Sequence, residues 1–545
     1  MALFKKIYGA LNRAERTIFI AAFAVLILSG AAWGILALGT YTRVVPAEGG
    51  EFTEGIVGQP SYINPVMAAS ETDKAMVRLL FANLTDLAEK IEADKGDRTW
   101  RVRLKEGLTW SNGEKLTSDD IIFTVQKLQD PESLSPYTQS WYGVTASRVS
   151  ELELTFNLAS PYPFFAEHLE NLYPIPKHLF AETPLSNWRL SEYNLKPVGS
   201  GPYKFDTYEK KANGFIAGYK LVKNPGFAGK QPLIPVFLIQ FFAQKDDVVK
   251  AFNTGKIDGF ADINERTDKI QRPYQVFSFY LPSYYAVFIN QNQHPALKEV
   301  VVRKALSAAI NREELVSEIF NGRALPVLNP VPKPFQIAAT STPADLNVNE
   351  LLEHAGWTLQ ADGHREKTIG KDKVILELDF TVPNLPFLTD TAARLASAWG
   401  KIGVKVNVNS LSVAEISDRA IKNREYQLLL FGNVLNPAED LYSFWHSNER
   451  FHPGLNLSLY SNRQADQLIE SIRRNFDPVS REAQLQNLGN VIAADYPAVF
   501  LFSPDYLFAA NKDLHGVEEG FIREPADRFR SVSAWYVKTA RTFKD

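Results

Sequence analysis

Cysteine is absent from all 545 residues. Its absence excludes disulfides, thiolate metal sites, cysteine nucleophiles and a lipid-modified cysteine as a membrane tether. An excess of either charge is missing as well. Lys and Arg number 59 against 62 Asp and Glu, a formal net charge of -3, so nucleic acid is not an expected partner. The sequence holds no G-x-S-x-G, no H-E-x-x-H and no G-x-x-x-x-G-K-[ST], and no internal repeat. These absences lean toward binding rather than chemistry: the chain is not expected to be an enzyme, and no catalytic residue, metal-ligand set or cofactor is expected.

What is present is an ordinary soluble composition, 45% hydrophobic and 22% charged. The length exceeds one hydrophobic core, because cores stop growing at roughly 250–300 residues, so two or more lobes are expected. Aromatics at 12% fit large β-rich cores. The N-terminus stands apart. Lys5, Lys6, Arg13 and Arg16 precede an uncharged run from Thr17 to Thr42, long enough for a bilayer core that needs about 20 apolar residues. A cleavable signal peptide has an apolar core of about 7–15 residues, shorter than this one, so an uncleaved anchor is favoured. Basic residues before the span and Glu48, Glu51 and Glu54 after it keep residues 1–16 cytoplasmic and the bulk outside.

The most informative stretch runs from Thr99 to Pro131, TWRVRLKEGLTWSNGEKLTSDDIIFTVQKLQDP. Trp100, Val102 and Leu104 alternate with Thr99, Arg101 and Arg103, the period of a half-buried strand. Asn112-Gly113 permits a tight reversal. Thr117 and Asp120 have capping-box spacing, Ile121, Ile122, Val125 and Leu128 form an apolar stripe, and Pro131 closes the helix.

That order of strand, turn, helix and D-P resembles the signature of the solute-binding proteins of peptide and nickel ABC importers, family 5. Further matches follow in order. Gln59 to Pro65 (QPSYINP) resembles the family's run before its first helix, with Asn64 in place of Asp. Pro197 to Tyr203 (PVGSGPY) resembles P-V-G-T-G-P-Y; its two glycines are expected to supply positive φ at a crossover between lobes. Gly255-Lys256-Ile257-Asp258 resembles G-x-I-D. In VVVRKALSAAINREELV, from Val300, Asn311 stands where Asp is common and caps equally well. Strands are expected at 149–158, 236–242, 284–290, 374–380, 404–408 and 498–502.

The resemblance implies an α/β chain of the type II periplasmic-binding-protein fold: two hinged lobes with an extra subdomain, preceded by one N-terminal transmembrane helix. The expected division is 1–16 cytoplasmic, 17–42 anchor and 43–54 linker, then 55–90, 195–285 and 500–545 as lobe I, 91–194 as the extra subdomain and 286–499 as lobe II. It further implies a single-pass, extracytoplasmic receptor that captures short peptides by closing its lobes and delivers them to the transmembrane subunits of an ABC permease. A metal chelate or an oligosaccharide is the alternative solute, and an extracytoplasmic hydrolase the alternative class.

For the site, the resemblance points to Tyr426–Trp445 (YQLLLFGNVLNPAEDLYSFW), where peptide-binding relatives carry an Asp that meets the ligand's amine. Depending on one gap, Asn433 or Asn436 takes that position. Either Asn bonds a different solute, or Glu439 substitutes, or these are turn residues before Pro437. Replacing Asn433 and Asn436 together by Asp is expected to strengthen binding of peptides with free amines. Gln59, Trp141, Tyr284, Tyr285 and Trp445 complete the candidate ligand set, core packing being at least as good an account of each. His178, His446 and His452 read as capping or loop residues.

Overall fold

The structure, a computed structural model, describes residues 12–94, 96–262, 269–332, 346–435 and 439–544. Residues 1–11 of the expected cytoplasmic segment, and Asn436, lie outside the described residues.

One strand organises both lobes. Ala498–Asn511 is 14 residues long and buried along nearly its whole length. Its first half pairs antiparallel with Ser283–Ile289 and its second half with Tyr274–Tyr280 and Gly259–Asp262. Lobe I builds outward from the second half through Glu51–Val57, Val236–Phe242, Ile216–Lys223 and Tyr203–Lys210. Lobe II builds from the first half through Ser283–Ile289, Leu428–Val434, Glu377–Pro383 and Lys405–Leu411. The chain therefore passes between lobes at 280–283 and again at 503–505, where the long strand changes partner from Tyr274–Tyr280 to Ser283–Ile289. Asp258 braces this frame in lobe I. Its carboxylate accepts the Thr53 N–H at 3.0 Å and the Asn511 amide at 2.8 Å, joining the first lobe I strand to the last.

The inserted subdomain is a four-stranded antiparallel sheet in the order Ala88–Ala93, Thr99–Leu104, Glu153–Leu158, Val144–Ser150. Val102 and Leu104 face inward and Arg101 and Arg103 outward, as the alternation predicts. Against the sheet lies Ser118–Gln129, with the full Thr117/Asp120 capping box. Asp120 also accepts the Lys177 N–H at 2.9 Å, so the cap doubles as a tertiary clip.

Three expectations are corrected. The strand expected at 149–158 is a hairpin of Val144–Ser150 and Glu153–Leu158, because the Ser150 hydroxyl accepts the Leu152 N–H and turns the chain. The 43–54 linker is mostly strand: Thr42–Ala47 pairs with Lys538–Phe543, a partner almost 500 residues away that local composition does not reveal, and Glu51–Val57 joins lobe I. Gly199 and Gly201 do not supply positive φ. They permit close backbone approach in lobe I, since a Cβ on Gly199 would sit 1.8 Å from the Leu80 carbonyl oxygen, while the Gly201 N–H donates to that same oxygen at 2.9 Å.

The helix Arg13–Tyr41 precedes all of this. Its 21-residue stretch Arg13–Trp33 is long and apolar enough to cross a membrane, and none of it is buried against the rest of the chain.

Candidate functional site

Besides the pairing of Ala324–Pro326 with the long strand at Phe502–Pro504, a short segment of the inserted subdomain, Pro161 to His168, reaches lobe II. Tyr162 donates its hydroxyl to the Asp440 carboxylate of lobe II at 3.1 Å. Burial first, and the Asp440 charge second, push the Tyr162 phenol far above its usual range, so it remains a donor at any physiological pH. Beside it Phe164 is 1% exposed and packs into the lobe II cluster that contains Leu435, Leu441 and Leu485. Arg473 pairs with Asp440 at 3.2 Å and covers the Tyr442 ring at 4.6 Å. Arg481 pairs with Glu439 and covers Phe164 at 5.3 Å. Both acids of the 439–440 turn are thus already neutralised by arginines of lobe II.

Next to this segment a cavity of about 70 Å³ lies between lobe I and the inserted subdomain, with none of its lining residues from lobe II. His168 connects the two, its ring 5.6 Å from Tyr162 on one side and lining the cavity on the other. The helix Glu71–Leu80 contributes Lys74 and Arg78, the subdomain Tyr137, Trp141 and Tyr173, and the segment after the long strand Arg523 and Glu524. Lys74 pairs with Glu524 at 2.8 Å; Arg78 reaches Glu524 and, at 2.8 Å, Asp527, and lies 4.2 Å over the Tyr173 ring. Arg523 holds Glu167 at 3.0 Å and Glu170 at 2.7 Å. Burial works against the Asp527 charge, but Arg78 and then Arg530 overcome it and keep that carboxyl below its ordinary value. Burial, opposed by Ser140 and Asp440, holds the His168 imidazole down at about 4, so it is neutral at pH 7. The wall therefore offers ammonium, guanidinium, hydroxyl and carboxylate groups around an aromatic floor.

Of the residues singled out from sequence, the structure brings three together. The Tyr284 hydroxyl accepts the Asn433 amide at 2.8 Å and the Trp445 indole N–H at 2.9 Å, all three nearly fully buried inside lobe II. Tyr285 faces away from that knot, packed between Phe387 and Phe502 and over Gly432. Glu439 lies at the seam, Trp141 in the cavity wall, and Gln59 accepts the Ile216 N–H at 2.9 Å at a strand start. His178 meets Asn112 at 3.0 Å. Sequence reasoning gives no site role to Tyr162, Lys74, Arg78, Arg523 or Glu524. The one available signal was the charge-dense run REPADRFR from Arg523 to Arg530. Among the described residues no group of three or more His, Cys, Asp or Glu side chains converges as a metal site.

Comparison with known proteins bears on what such a frame does. Residues 84–452 match the model of the bacterial extracellular solute-binding proteins, family 5. The chain belongs to this family. Within the family it is 25% identical over 524 residues to the oligopeptide-binding protein AppA of Bacillus subtilis, covering 90% of this chain and 92% of AppA. In three dimensions it is similar to the ABC transporter substrate-binding protein CtaP of Listeria monocytogenes, with a TM-score of 0.76 and 23% identity over 90% of this chain and all of CtaP. NikZ of Campylobacter jejuni, solved with Ni(L-His), superposes with a TM-score of 0.69 at 21% identity, over 89% of this chain and 99% of NikZ. Both structural matches carry the type II two-lobed fold. As a family 5 member the protein is an extracytoplasmic solute-binding protein of the ABC-importer class, its solute a peptide or another small molecule.

Proposed function

We propose that this family 5 protein is anchored in the membrane by Arg13–Tyr41 and captures short peptides between its lobes for delivery to an ABC permease, without chemistry of its own. The observation that carries the reading is the double passage between lobes along one shared strand, with the Tyr162–Asp440 contact joining the inserted subdomain to lobe II. Two adjacent crossings leave one easy motion, rotation of lobe II about 280–283 and 503–505.

In the described arrangement the cavity is far smaller than the roughly 300–1,000 Å³ of sites that bury a drug-sized ligand. The cleft between the lobes opens to a peptide when Tyr162 leaves Asp440 and Phe164 leaves lobe II. Closure then exchanges those contacts for contacts with the solute. Peptides are favoured because the wall beside the seam mixes donors and acceptors around aromatic rings, suiting amide groups and both chain termini. The anchor reading rests on the length and apolar composition of the stretch Arg13–Trp33, none of which is buried.

A pooled di- to octapeptide library should raise the melting temperature of the purified protein, and mass spectrometry without denaturation should show co-purified peptide. No shift and no bound peptide would withdraw the peptide assignment while leaving the two-lobed receptor intact.

A further inference from the structure

The apolar helix does not end in a loose tether. At Tyr41 it passes without a break into Thr42–Ala47, which pairs antiparallel over all six residues with Lys538–Phe543. The register sets Thr42 opposite Phe543, and the Lys544 N–H donates to the Tyr41 carbonyl at 2.8 Å. A segment remote in sequence is thereby held at the level where the helix stops. The ribbon joins no other sheet, and every residue of Lys538–Phe543 is exposed.

Two-stranded ribbons are marginal in water. This one nevertheless presents Tyr41, Val44 and Phe543 at 65%, 57% and 76% exposure, interleaved with Arg43 and Arg541 and with no acidic residue in either strand. Exposed aromatics beside cations, at the outer end of an apolar helix, have the composition of a membrane–water interface. The other end of the ribbon is rooted in lobe I. The Gly49 N–H donates to the Leu233 carbonyl at 2.9 Å, Glu48 pairs with Lys223 at 2.9 Å, and Val537 packs against the lobe I core.

We propose that this ribbon is a foot seated in the lipid headgroup layer on the outer face of the bilayer, with Tyr41 and Phe543 in the interfacial zone and Arg43 and Arg541 near lipid phosphates. The occupant of this surface is lipid, and the foot fixes the height and orientation of lobe I above the membrane. The inference rests on the anchor reading and extends it to a second point of contact, distant in sequence.

The absence of cysteine makes the test direct. Full-length variants Leu28→Cys, Thr542→Cys, Thr539→Cys and Lys422→Cys, the last exposed on lobe II, are labelled with one fluorophore and reconstituted in phosphatidylcholine vesicles with or without phosphatidylglycerol. Lipids carrying a quencher at the headgroup should lower emission at Thr542 about twofold, less at Thr539 and not at Lys422, while a quencher deep in the acyl chains acts on Leu28. A quenched Leu28 label with Thr542 and Thr539 both unaffected overturns the foot and leaves the anchor standing. An unquenched Leu28 label overturns the anchor, and the foot with it. Energy transfer between Thr542 labels that grows with protein density would give the ribbon to a second copy and overturn the lipid assignment. Should Thr542→Cys fail to fold, Thr539→Cys carries the same comparison, supplemented by Tyr41→Ser with Phe543→Ser, which should abolish quenching at Thr539.

Discussion

Tyr162 of the inserted subdomain and Asp440 of lobe II are 278 residues apart, yet they are joined by a 3.1 Å hydrogen bond. A donor held neutral by burial meets a carboxylate that Arg473 also holds, and Phe164 seals the contact on one side. This latch defines the arrangement from which solute binding must start.

Tyr162→Phe deletes the bond and keeps the ring. A hydrogen bond to a charged group contributes about 1.5–3 kcal/mol, so the open arrangement should gain at least tenfold in population. Distance measurements between labels on the two lobes should show it; an unchanged distribution would mean that the latch does not govern opening. Phe164→Ala should act in the same direction, through the loss of buried apolar area.

The imidazole of His168 gives stability a pH dependence of definite sign. Its folded value of about 4 lies below the ordinary 6.5, so between those limits the unfolded chain binds the extra proton. Its contribution is complete above pH 6.5 and lost as pH falls toward 4, at most about 3 kcal/mol in all. His168→Gln should flatten this part of the curve of denaturation free energy against pH. A slope identical to that of the parent protein would count against it.

In the knot of Tyr284, Asn433 and Trp445, the Asn433 amide donates where a carboxylate cannot. Asn433→Asp places a charge in a site 4% exposed, and should lower stability by about 2 kcal/mol. It should leave affinity for peptides with free amines unchanged, because the side chain is enclosed by Tyr284 and Trp445. Tighter binding measured by calorimetry would show instead that this part of lobe II opens to the solute.

Gly199→Ala should be the most damaging small substitution in lobe I. The added Cβ would meet the Leu80 carbonyl oxygen at 1.8 Å, backbone against backbone, so the two segments must separate. A loss of about 3 kcal/mol or more is expected by chemical denaturation. Full stability would show that the segment shifts freely.

Local physics made much of the fold legible. The capping box at Thr117 and Asp120, the Asn311 cap, and the strand at Val236–Phe242 are set by neighbours a few residues apart, so they could be read directly. The hairpin at Ser150 shows in the sequence only as the three-residue step from Val149 to Leu152, which breaks the period of two for a single position. The site was less legible for another reason. Asn433, Glu439 and Asp440 were visible as a polar turn, but nothing near them announced that Arg481 and Arg473 would neutralise the acids or that Tyr284 would enclose the Asn.

The sequence by itself determined a membrane-length apolar helix, an α/β chain of more than one lobe, and family 5 motifs in their order, because periodicity, caps and turn residues act over short spans. Only the tertiary structure decided what closes the lobes, which charges around the cavity cancel, and that Lys538–Phe543 returns to the foot of the helix. Each of those depends on side chains or strand edges brought together from hundreds of residues apart, where contact is fixed by packing rather than by any local pattern.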